Sequence, residues 1–164
     1  MAPLTATQAR EDTRVVEKIR VVVHTGHALD QSDNHWSIYL LLQDEGSVRV
    51  NMATEYEEIE GRLEWSNLQY LLTNSALHYW DYPAVQPIQV LHVARSIYDR
   101  NRHRYCFSGG GSGCRFWVRV VIYDLEDQGY IGSGTSNNLW GFLQYLYRPG
   151  KDPLQINWVE GEFY

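Results

Sequence analysis

Cys114 follows the glycine-rich run SGGGSG at residues 108–113 and heads an apolar stripe of Cys114, Trp117, Val118, Val121 and Leu125. The i, i+3, i+4, i+7, i+11 spacing predicts a helix from Cys114 to about Gln128 that stops at Gly129. A thiol in the first turn of such a helix sits at the positive end of the macrodipole, which favours thiolate over thiol. Glycines before it permit a sharp entry and close substrate approach, and the backbone N–H groups around Gly113 and Cys114 could hold an oxyanion. The alternative is that Cys114 is simply a small buried residue, since cysteine is among the most buried types.

A nucleophilic thiol requires a base within hydrogen-bond reach and a group to orient that base. His35 opens HWSIYLLL, and Asn51 lies in VRVNM on the neighbouring strand of a predicted hairpin. A polar Asn in a buried strand needs a partner, and its amide oxygen could take the imidazole N–H and fix the tautomer. Each residue also has a plain alternative: His35 as a satisfied turn histidine, and Asn51 as a solvent-facing strand position. His24 and His27 form HTGH, which lacks helical i, i+4 geometry, and the chain has no CxxC. No metal or cofactor is expected; His24 ends a strand, and His27 is placed near or along the pocket. Trp36, Trp117 and Trp140 read as core residues, with some joining Tyr39 in an apolar pocket. The basic run ending at Arg104 offers a dock for a carboxylate or phosphopantetheine, with a solvated turn as its alternative. Cys106 reads as a strand thiol.

These residues must be carried by a small number of elements. Valine-rich KIRVVVH predicts a strand over 18–24, and HWSIYLLL–QDEGS–VRVNM a hairpin in which Val48 and Val50 alternate against Arg49 and Asn51. Glu55 to Trp65 reads as a solvated strand or exposed edge. Ser66 as cap and Leu68, Leu71 and Leu72 suggest a short helix from Asn67 to about Asn74, with Pro83 and Pro87 breaking the chain after it. Val90 to Tyr98 has helical spacing, Tyr105 to Phe107 is β-like, and a last helix runs from Ser136 or Asn137 until Pro149 and Gly150. LQINWVEGEFY returns to the sheet. Strands, then helices, then a strand predict an α+β fold, with an antiparallel sheet packed against helices. Residues 1–15 are expected to be a mobile tail and 16–164 a single domain.

The chain has 164 residues, a size that can bury about 68 to 70% of its unfolded surface without staples. Twenty Asp and Glu against fourteen Lys and Arg give a formal charge of −6, which argues against a nucleic-acid partner. No apolar run is long enough for a membrane span, and the N-terminal residues do not read as a secretory signal, so the expected compartment is the cytoplasm. Six Trp, twelve Tyr and four Phe make aromatics plentiful. Oligomeric state is not legible.

HWSIYLLL, the turn and VRVNM resemble the histidine strand and adjoining polar strand of the circularly permuted papain-like proteins. That group includes lecithin:retinol acyltransferase and relatives of NlpC-type cysteine peptidases. The order His35, Asn51, Cys114 matches the permuted arrangement. The resemblance implies Cys114 as nucleophile, His35 as base and Asn51 as orienting residue, acting in acyl transfer or amide or ester hydrolysis on a small, partly apolar substrate. It departs in the long segment between hairpin and cysteine helix and in RFWV after Cys114. Separately, GSGCRFW with downstream DLEDQG resembles an uncharacterised domain family of filamentous fungi. The competing expectation is a domain that binds a hydrophobic small molecule, of the secondary-metabolite kind, in an aromatic pocket without a covalent step. Gly113, Trp36, His27, Trp117 and Arg104 are the candidate substrate contacts.

Overall fold

The computed structural model describes residues 2–25, 34–54, 58–107 and 114–164. In chain order the elements are β1 (Ala2–Leu4), α1 (Ala6–Glu11), β2 (Val15–His24), β3 (His35–Leu42), β4 (Ser47–Ala53), β5 (Arg62–Leu68), β6 (Ala76–Gln89) and α2 (Val90–Asp99). They continue with β7 (Tyr105–Cys106), α3 (Cys114–Asp127), α4 (Thr135–Leu143), β8 (Tyr145–Arg148), β9 (Lys151–Gln155) and β10 (Glu162–Phe163). Six strands form an antiparallel sheet in the order β1-β5-β4-β3-β2-β6. The fold is α+β, and no helix among the described residues is long and apolar enough to cross a membrane.

Side-chain alternation divides the central strands between two faces. Trp36, Ile38, Leu40 and Leu42 of β3, with Val48, Val50 and Met52 of β4, point into the main core. There they meet Val93, Ala94 and Ile97 of α2 and Trp117, Val118, Val121, Ile122 and Leu125 of α3. Each of the Val, Leu, Ile and Met side chains contributes about 1.5 to 3 kcal/mol by leaving water. The intervening residues of β3, His35, Ser37, Tyr39 and Leu41, face the opposite side. On that outer face Val22, Tyr39, Leu41 and Leu68 form a second, smaller apolar cluster. The outer face is therefore partly covered, and Arg20 and Ser47 donate there to the backbone oxygens of Leu71 and Tyr70.

Five expectations are corrected. Residues 2–11 form β1, paired with β5, and α1, rather than a tail. Thr5 and Gln8 bond each other's backbone N–H in a capping box, and Ala9 is fully buried. The helix expected over 67–74 is absent, because Arg62–Leu68 is claimed by the ladder to β4, which places Trp65 and Leu68 on opposite faces and leaves Leu71 and Leu72 exposed. Pro83 and Pro87 do not break the chain: both lie inside β6, an outermost strand, where a missing N–H is tolerated. The last helix ends at Leu143, since Leu146 pairs with Leu154 in a hairpin whose turn contains Pro149 and Gly150, the latter with φ 64°. The C-terminal strand β10 pairs with β7, not with the main sheet.

Candidate functional site

The outer face carries a connected polar array at the end of β3, β4 and β5. His35 Nε2 lies 2.5 Å from Asn51 Oδ1, and Asn51 Nδ2 donates to Glu64 Oε1 at 3.1 Å. Asn51 and Glu64 are direct partners in the β4–β5 ladder, so their shared face is set by register. A carboxylate only accepts, so the Asn51 amide must turn its NH2 to Glu64 and its oxygen to His35. His35 then carries its proton on Nε2, and in the neutral ring Nδ1 is the accepting nitrogen. Glu64 Oε2 in turn meets Arg62 Nη2 at 3.3 Å. Asn51, the centre of the array, is buried.

His24 stands opposite His35 in the β2–β3 register, with ring centroids 6.0 Å apart. Its nitrogens contact Ser75 Oγ at 2.9 Å and Ser37 Oγ at 2.7 Å. Burial pushes its pKa down to about 3, with the neighbouring His35 and Arg49 acting in the same direction. His24 is a neutral, structural imidazole at ordinary pH.

Cys114 does head α3, but it belongs to the core cluster that contains Trp36 and is only 5% exposed. Its Sγ contacts the backbone oxygen of Asn34 at 3.7 Å. Trp36 and His35 are successive residues of one strand, so the thiol packs on the helix-covered face while the His35 side chain faces the other. The structure joins His35 to Asn51 and does not bring Cys114 into that array. Gly113 and His27 lie outside the described residues. Trp36 is fully buried and stacks on Trp80 at 5.5 Å between centroids, and Trp117 is equally buried, donating Nε1–H to the Arg102 oxygen at 2.8 Å. Both are core residues. Arg104 sits over the Tyr164 ring at 4.9 Å. Neither Cys106 nor Cys114 is in a disulfide.

A groove of about 420 Å³ runs along the β5 side of the sheet. Pro3 and Leu4 of β1, Arg49 and Asn51 of β4, Arg62 to Ser66 of β5, and Tyr98 of α2 contribute to its lining. Trp65 is held there by donating Nε1–H to Tyr98 Oη at 3.0 Å. Three of these polar residues, Arg49, Glu64 and Ser66, were not singled out by motif. Their signal is alternation: SVRVNMA puts Arg49 and Asn51 on one side of β4, and RLEWSNL puts Glu64 and Ser66 on the facing side of β5. A smaller depression, about 330 Å³, lies between α3, α4 and β10 and contains Arg102 and Arg119. Both cations are engaged, Arg102 with Asp124 and Arg119 over the Trp140 ring.

The chain belongs to the family described as a domain of unknown function, DUF7770, whose profile matches residues 19–164. No curated protein matches it. No solved structure matches it either.

Proposed function

We propose that this chain is a small-molecule binding domain that holds its ligand without a covalent step, in the groove along β5. The observation that carries the reading is the array His35–Asn51–Glu64, ordered through a buried amide and opening into that groove at Asn51 and Glu64. Polar groups fixed this way supply orientation, while Pro3, the β1 partner of Ser66 on the same face, supplies apolar contact, the combination that ligand sites generally show. Thiol-dependent acyl transfer draws support from the position of Cys114 at the head of α3. Against it stand the low exposure of the thiol and its packing on the face opposite His35. Chemical-shift mapping with a library of small aromatic and aliphatic fragments separates the two. The binding reading expects perturbed amides at Asn51, Glu64 and Trp65, retained in Cys114→Ala. Perturbations confined to the start of α3 and lost in Cys114→Ala would instead favour the thiol.

A further inference from the structure

Resting on that reading, we propose that the groove selects a carboxylate-bearing ligand, whose charge is taken by Arg49 with Ser66 beside it. Arg49 is half-buried in the middle of β4, paired in register with Tyr39 on one side and Ser66 on the other. Its Nε is enclosed without a hydrogen-bond acceptor, and among the described residues its guanidinium makes no ion pair. Arg20, on the same outer face, shows the usual solution: Nε and Nη2 grip Asp81 at 2.7 and 2.9 Å, and Nη1 reaches the Leu71 oxygen. Arg115 and Arg148 also have an enclosed Nε, yet each donates through Nη2 to a backbone oxygen. Arg49 differs in lining an open groove.

The nearest acid on the facing strand is already committed. Glu64 accepts from Asn51 and from Arg62, so its charge is balanced without Arg49. Tyr39 cannot supply a counter-charge, because burial raises its phenol pKa above the usual value. The Arg49 guanidinium lines the groove without an ion pair among the described residues, and an incoming carboxylate would take two parallel N–H···O bonds from its terminal nitrogens. Ser66 brings a hydroxyl donor to the same row of the sheet, and Pro3, its partner on β1, offers apolar surface on that face. The implied ligand is a small apolar monocarboxylate.

The probes are phenylacetate and its neutral counterpart phenylacetamide, followed by chemical-shift titration of the full chain, including the Arg49 side-chain Nε–H signal. The expected result is that phenylacetate shifts Arg49, Ser66 and Trp65 and binds about tenfold or more tighter than phenylacetamide, a ratio in keeping with one charge-assisted contact. Arg49→Gln should abolish that preference, and Arg49→Lys should retain part of it. A far-ultraviolet spectrum unchanged from the wild type shows that each variant is folded. Equal binding of acid and amide, or an undiminished preference in a folded Arg49→Gln, overturns the carboxylate assignment while leaving the groove as a binding site. Absence of groove perturbation by either probe, together with a silent fragment library, overturns both.

Discussion

His24 and His35 face each other across β2 and β3 with ring centroids 6.0 Å apart, yet they are held by chemically different partners. Two serine hydroxyls hold His24, whereas an amide oxygen backed by a carboxylate holds His35. The first is a fixed neutral ring in a dry setting; the second is the end of a polar array that reaches an open groove.

The dry setting of His24 has a pH signature. Its pKa falls to about 3 in the fold, against an ordinary value near 6.5 in the unfolded chain. Between those values the unfolded chain binds the extra proton, so this contribution to stability is complete above about pH 6.5 and is lost as pH falls toward 3. Thermal melts across that window should show a smaller loss for His24→Gln than for the wild type. Parallel curves would mean that His24 does not carry the dependence.

Asn51 should be energetically coupled to Glu64. Asn51→Leu leaves both His35 Nε2–H and a Glu64 oxygen without the amide, a change expected to cost about 2 to 3 kcal/mol. Glu64→Leu in the Asn51→Leu background should cost less than it does alone, with a coupling of about 1 kcal/mol in urea denaturation. Additive losses would show that the bond contributes nothing to the fold.

The two thiols should differ in native reactivity. Cys106 is partly accessible, while Cys114 is 5% exposed beneath the core. Iodoacetamide followed by peptide mass mapping should modify Cys106 first and reach Cys114 only as the protein unfolds. Fast, pH-insensitive labelling of Cys114 would restore the activated-thiol reading.

Asp124 on α3 is the buried anchor of two cations. Arg100 reaches it at 3.1 Å and Arg102 at 2.7 Å, and its side chain is 2% exposed. Asp124→Ala removes the common acceptor and is expected to cost about 3 kcal/mol, read as a lowered urea midpoint. A loss under about 1 kcal/mol would put the pair in the weak class typical of surface bridges.

The hairpin β3–β4 and helices α2 and α3 were legible because their periods are clean, with alternation in SVRVNM and an apolar stripe from Cys114 to Leu125. The His35–Asn51 contact was legible for a related reason: a polar residue among buried strand positions demands a partner. The place of Cys114 is less legible, because the stripe that predicts its helix does not say which sheet face that helix covers. Trp36, adjacent to His35, takes the core-facing position next to α3, which sets Cys114 and the His35 side chain on opposite faces of β3. Leu71 and Leu72 failed differently, since their helical spacing is local whereas the Arg62–Leu68 ladder to β4 is tertiary. The same holds for Leu146 and Tyr147, where helical spacing yields to pairing of Leu146 with Leu154. The N-terminal residues carried a readable signal that composition obscured: Thr5 and Gln8 have capping-box spacing.

The position of β6 also bears on how the molecule behaves at high concentration. A sheet rim with intact N–H and C=O groups is a template on which another copy can add a strand. Pro83 and Pro87 remove two donors from that rim, and the Val85 N–H between them is occupied by the Tyr130 oxygen at 3.0 Å. Strand addition along the Pro83–Pro87 stretch of this rim is thereby opposed twice, by residues that lack a hydrogen to offer and by a segment that takes the one remaining between them.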